Sequence, residues 1–268
     1  MSIKANSTRR WRPPPLISDP RLRWLIIIGV VVYLYFALSS ININVDRLIR
    51  GLDRGSRMFA GFLQPDFTTR WRDIQAGLIE SLTMTVVSTV IGVIISIPIG
   101  FGAARNMAPM PIYLFCRGLI TISRTFQEVI IAIVFVVMFG FGPLAGVLTL
   151  SFATIGFLAK LLAEDIEEID AAQVEATRTT GASWLQTVTY GVLPQVSPRL
   201  VGLSIYRFDI NLRESAIVGV VGAGGIGATL QTAFTRYDFD IASAILIIII
   251  ALVMTTEIVS SHIRRRLQ

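Results

Sequence analysis

The chain has 268 residues, of which 53% are hydrophobic and 16% charged, with a mean hydropathy of +0.66. An ordinary soluble domain needs roughly 25% charged residues to cover its surface, so water is excluded as the bulk solvent and lipid takes its place. A disordered chain goes with it, as does a disulfide scaffold, because Cys116 is the sole cysteine. The excess of 24 Lys+Arg over 18 Asp+Glu reads as membrane topology. It does not read as nucleic-acid binding, since no compact basic stripe interleaved with aromatics appears beyond the ends and one connecting segment.

A helix needs roughly 20 mainly apolar residues to cross a bilayer, and six such stretches follow one another. A basic flank, residues 1–23, holds Lys4, Arg9, Arg10, Arg12, Arg21 and Arg23 and leads into the first span, 24–40. Pro13, Pro14 and Pro15 separate the Arg9-Arg10 pair from that apolar run, so the pair is a topogenic flank and not a twin-arginine export signal. Residues 41–76 are expected outside the cytoplasm. There Arg47, Arg50, Arg54 and Arg57 recur at helical spacing opposite Val45, Leu48, Ile49 and Leu52, which predicts a basic amphipathic helix at the interface. It is either an anchor on lipid headgroups or a funnel for an anionic solute.

The five remaining spans form a core over residues 77–261. The second runs from about Gly77 to Gly102, with Ser81, Thr83, Thr85, Ser88 and Thr89 able to hydrogen-bond within the helix or across to neighbours. The third, about Ile112 to Phe139, is interrupted by Ser123-Arg124-Thr125-Phe126-Gln127-Glu128, so a kink is expected there. The fourth covers about Leu144 to Ala163. Then comes a long polar segment, 164–198. It opens with Glu164, Asp165, Glu167, Glu168 and Asp170, and predicts a short helix, a turn at Gly181, a second helix presenting Trp184 and Leu185, and a stop at Leu193-Pro194.

The fifth span, about Val201 to Val221, carries four charges and ends in Gly222-Ala223-Gly224-Gly225-Ile226-Gly227. That run fits the dinucleotide-binding spacing literally. The mechanism behind the spacing needs a strand before the turn, whereas the apolar residues here belong to a membrane span, so Gly222, Gly224, Gly225 and Gly227 read as a glycine-rich turn. The sixth span is Ile241 to Ser261, followed by a basic tail, 262–268, with Arg264, Arg265 and Arg266. An even number of spans puts both basic ends on one side, which the positive-inside rule makes the cytoplasm. The fold class is an all-α membrane protein with six transmembrane helices.

No Gly-Lys dipeptide occurs, so no phosphate-cradling loop for ATP can be drawn. His262, the sole histidine, has no metal-ligand spacing around it, and no nucleophile–base set fits this topology. A metal site, a bound cofactor and an enzymatic site are therefore not expected.

The 164–198 segment resembles the EAA loop of permease subunits of bacterial ABC importers. Glu175, Ala176, Gly181, Leu193 and Pro194 stand at that pattern's spacing, while Thr177 replaces its second alanine and Gly191 its isoleucine. The likeness implies a coupling helix, Trp184 included, that docks on a separate ATPase subunit holding ATP and Mg. Over residues 60–268 the chain is similar to the phosphonate-importer permease (PhnE) family. The residues that carry this are Pro65-Asp66-Phe67, Ala103-Ala104-Arg105-Asn106, Gly140 to Leu148, Tyr190 to Gln195, Tyr206-Arg207-Phe208 and Val220 to Gly227. That resemblance implies a type I importer permease fold in the bacterial inner membrane and an extracytoplasmic solute-binding protein as partner. It also implies a phosphorus oxyanion as solute: phosphonate, phosphite, hypophosphite or phosphate.

Charges inside the spans point to an anion independently. Arg117, Arg124, Arg207 and Arg213 lie in or near spans, where each costs about 2.5–3.5 kcal/mol unless paired or facing water. Asp209 and Arg213 are i, i+4, as are Arg124 and Glu128, and either pair could equally be structural. With two copies around a twofold axis, Arg124, Thr125, Gln127, Glu128, Arg207, Asn211 and Arg213 are expected to line the path. The alternative is a proton-coupled secondary transporter using Glu80, Glu128, Asp209 or Glu214 as relays. It leaves the EAA-like loop unexplained, and a non-transporting scaffold leaves the arginines unexplained.

Overall fold

The structure is a computed structural model that describes residues 19–40 and 45–267, in which all regular structure is helical. Most of the basic N-terminal flank, Lys4 to Arg12 included, lies outside the described residues, as do residues 41–44. The chain divides into two compact units, residues 1–56 and 57–268. In the first, α1 (Pro20–Ser40) has no buried residue and spans about 31 Å at 1.5 Å per residue, the length a hydrocarbon core requires. The amphipathic helix expected from the arginine spacing is α2 (Val45–Phe62), which crosses the boundary between the units.

The second unit is built on α3 (Trp71–Ala103) and α6 (Pro143–Glu167). Met84 meets Gly146, Gly92 meets Thr154 and Gly100 meets Leu162, a constant sequence offset, so the two helices run parallel. Glycine allows the approach: a Cβ on Gly100 would lie 2.8 Å from Leu162 Cδ2, and one on Gly146 2.6 Å from Met84 Sδ. Ahead of α3, Asp66 accepts hydrogen bonds from the backbone N–H and hydroxyl groups of Thr69 and Thr68. These bonds, the Thr69 hydroxyl foremost, hold the Asp66 carboxyl well below the usual carboxylate range.

The interrupted third span is two helices, α4 (Met110–Thr125) and α5 (Glu128–Phe139), bent by 95°. Phe126 and Gln127 take extended ψ values of 134° and 142°, so the chain leaves the helix for two residues and restarts across it. α4 packs against α6, where Ser123 Oγ donates to the carbonyl of Phe152 at 2.7 Å.

The polar segment holds α7 (Ala171–Thr179) and α8 (Trp184–Thr187), the latter opened by a capping box between Ser183 and Gln186. Here the expected stop is corrected. Helix continues through a π turn (Val188–Val192) into α9 (Leu193–Val218), and Pro194 sits in the first turn of α9. Proline lacks the N–H that an α-helical turn would require. The widened turn absorbs the loss: Leu193 N–H donates to Val188, and Gln195 Nε2 donates to the carbonyl of Gly191 at 2.7 Å.

After a second π turn (Gly219–Ala223), Gly222 with φ +100° ends the helical run. Then α10 (Gly225–Arg236) continues at a bend of 55°, and α11 (Phe239–Leu267) completes the unit. Among the described residues four helices are long and apolar enough to cross a membrane, α1, α3, α6 and α11, and with each bent pair counted as one span the number is six.

Candidate solute pocket and coupling loop

The break between α4 and α5 opens a cavity of about 350 Å³ lined by Ser123, Arg124, Thr125, Phe126, Gln127, Glu128, Ala153, Phe157 and Arg207. Five of the seven residues expected to line a path therefore meet in one place. Arg207 is 3% exposed, and a charge that deep requires partners. It has three: Nε donates to Thr154 Oγ1 at 3.1 Å, Nη2 pairs with Glu214 Oε2 at 3.0 Å, and the guanidinium lies 5.5 Å from the Phe157 ring centroid. Arg124 is exposed and forms no ion pair among the described residues. The expected Arg124–Glu128 pairing does not form. The helix breaks between the two, which destroys the i, i+4 geometry it depends on.

Asn211 and Arg213 lie elsewhere. Asn211 is fully buried and donates to Thr89 Oγ1 at 2.8 Å and Thr154 Oγ1 at 3.0 Å, joining α3, α6 and α9 behind the cavity. Arg213 pairs with Asp209 at 3.3 Å, as its spacing suggests, and borders a separate apolar groove with Val129, Ile217 and Val253. Thr154, Phe157 and Glu214 were not expected as partners of Arg207, and of the three Phe157 also lines the cavity. Glu214 is two helical turns from Arg207 on the same face and could have been found by that spacing. Thr154 and Phe157 come from α6, whose register against α9 no local signal reveals.

At the loop, Val174 on α7 and Val192 in the π turn pack with Ala104, Leu162, Ile166 and Val196. That leaves the opposite face outward: Glu175, Ala176 and Gly181 are exposed, with Trp184 at 59% and Leu185 at 66%. Pro194 is exposed and Leu193 half-buried. Gly181 has φ +81°, and a Cβ added to it would meet nothing within 4 Å, so backbone conformation alone calls for glycine there.

The glycine-rich run spans the end of the π turn, the break at Gly224 and the start of α10, so Gly225 and Gly227 are helical. Gly222, Gly224 and Gly225 have positive φ, Gly142 N–H donates to the carbonyl of Gly222 at 3.0 Å, and Ile226 N–H donates to Ser81 Oγ at 2.9 Å. Gly227 lets α10 lie directly on Gly219 and Ala216 of the preceding helical run. No strand precedes it among the described residues.

The sequence profile of binding-protein-dependent transport system inner membrane components matches residues 96–268. The chain belongs to this family. As an inner membrane component of that kind it is a multi-pass ABC importer permease, and it resembles the PhnE permeases within that group. The phosphate-import permease protein PhnE of Mycolicibacterium smegmatis is 39% identical over 272 residues, covering all of this chain and 51% of the relative. The chain thus spans about half the length of that protein. The phosphite transport system permease protein PtxC of Stutzerimonas stutzeri is 36% identical over 241 residues, 90% of this chain and 86% of the relative. The fold matches a solved inward-facing conformation of the MetNI methionine ABC transporter with a TM-score of 0.65 at 24% identity, covering 76% of this chain and 99% of that one.

Proposed function

We propose that this permease forms the membrane path of an ATP-driven importer for a phosphorus oxyanion, with the α4–α5 pocket as the place where the solute rests in transit. The observation that carries the reading is the convergence of Arg124, Arg207, Thr125 and Gln127 on one cavity at the start of α5. The N-terminus of a broken helix offers unpaired N–H groups and a positive dipole end. Together with two guanidinium groups this suits a tetrahedral anion. Similarity to the phosphate-import and phosphite permeases supports the same solute class.

In this reading the basic ends face the cytoplasm and two copies pack around a twofold axis. Glu175, Ala176, Gly181, Trp184, Leu193 and Pro194 belong to the surface that docks on a separate ATPase subunit. ATP and Mg are bound by that partner, and this chain holds no cofactor. Closure of the ATPase dimer on ATP draws the two docked loops together, and the spans rock around the pocket. A separate extracytoplasmic binding protein delivers the solute and supplies most of the selectivity among phosphonate, phosphite, hypophosphite and phosphate. The basic face of α2 lies on lipid headgroups.

The test is reconstitution of the chain in liposomes with its ATPase subunit and binding protein. ATP hydrolysis is then measured with the binding protein loaded with each of the four oxyanions. Stimulation by one loaded form names the solute. Stimulation by none, with the complex assembled, sinks the oxyanion reading. A chain that never binds an ATPase yet moves oxyanion down a proton gradient is a secondary transporter.

A further inference from the structure

Polar contacts converge on the turn between α3 and α4, remote from the pocket and beside the loop. Arg105 N–H donates to Glu167 Oε1 at 2.7 Å, and Asn106 Nδ2 donates to the carbonyl of Ile166 at 2.7 Å. From α4, Arg117 Nε donates to the carbonyl of Ala103 at 2.9 Å, while Nη2 donates to both Glu167 oxygens at 3.0 Å. One carboxylate thereby ties the end of α6 to the end of α3 and to α4. Ala103 and Ala104 are wholly buried at this junction, where small side chains let the ends of α3 and α6 meet the middle of α4.

The position of the knot gives it a function. On one side, Ala104 and Ile166 pack against Val174 and Val192 of the loop. On the other, α4 runs from Arg117 to Arg124 at the pocket wall, about 10 Å further along the helix axis. A cavity of about 620 Å³ bordered by Asn106, Glu167 and Glu175 leaves space beside α7 for the loop to shift. Without the knot, displacement of the loop would reach α6 and α9, and beyond apolar packing the tie from α6 to α4 would be the single hydrogen bond from Ser123 Oγ to the carbonyl of Phe152. Charge-assisted, bidentate bonds hold geometry that apolar contacts let slip.

We infer that Arg117, Glu167 and Asn106 form the joint that passes movement of the Glu175–Pro194 loop into α4 and so to the pocket wall. They are positioning residues, and the inference rests on the coupling role proposed for that loop. The experiment uses the reconstituted complex with ATPase subunit and binding protein. It measures ATPase association, ATP hydrolysis, and phosphite or phosphate taken up per ATP. Arg117→Ala and Asn106→Ala change partly or fully exposed side chains, so both are expected to insert and to bind the ATPase. ATP hydrolysis stays near the wild-type rate, while uptake per ATP falls about tenfold. Arg117→Lys keeps the charge on Glu167 but loses the planar fork, and recovers part of the loss. Wild-type uptake per ATP in both alanine variants overturns the joint. So does a parallel fall of association, hydrolysis and uptake, which would reduce these contacts to folding. A wild-type chain that fails to bind the ATPase brings down the coupling reading itself and the joint with it.

Discussion

Arg124 and Arg213 are both arginines on broken or charged spans, yet their surroundings differ. Arg124 faces the polar cavity with no ion pair among the described residues, so its removal leaves no buried partner behind. Arg124→Ala is expected to raise the KM for oxyanion uptake about tenfold, the worth of one charge-assisted hydrogen bond. Arg213→Ala is expected to leave KM within about twofold, because its bond is to Asp209 and its neighbours are apolar. Equal effects on KM in concentration-dependent uptake would move the pocket's boundary. Gly181 is a different kind of residue, with open space around it and φ +81°. Gly181→Val would place a β-branched side chain in the left-handed region, at a cost of about 1–2 kcal/mol or more, and re-aim α8 against α7. Insertion is expected to be normal and uptake per ATP strongly reduced, with Gly181→Ala milder.

Among elements, the parallel pair α3 and α6 is held by glycines facing bulkier side chains. Gly92→Leu has no room beside Thr154 and is expected to destabilise the unit by about 1–3 kcal/mol. Thermal unfolding in detergent measures this, and an unchanged midpoint would show that the two helices separate easily. The spans were legible in the sequence because lipid imposes a length and an absence of charge that each stretch meets alone. The α4–α5 break was legible for the same reason, since Arg124 to Glu128 could not continue an apolar run. The pairing of α3 with α6 was not: it depends on Met84 meeting Gly146 across a long intervening sequence. For that reason Arg207 could be singled out on α9 but not its partner Thr154, and Asn211 looked like a lining residue until its neighbours on α3 and α6 came into view. The Leu193-Pro194 stop misled for a simpler reason. Proline forbids one hydrogen bond, and a π turn removes the need for that bond.

For the whole molecule, loop and span are one object. The helix that begins at Trp184, on the face proposed to dock the ATPase, runs without interruption through the π turn and past Arg207 at the pocket. A π turn holds one residue more than the α turn it replaces, and one residue is about 100° of rotation about the axis. The turn at Val188–Val192 therefore sets the clocking of Trp184 and Leu185 relative to Arg207. Deleting Thr189 is expected to restore regular α geometry there and swing the docking face about a quarter-turn around the axis. The spans would still assemble, but ATPase association should be lost, and re-inserting one alanine at that point should recover it. The wide turn thus works like the indexing pin of a crankshaft. It leaves the material of the shaft unchanged and fixes the phase between its two ends.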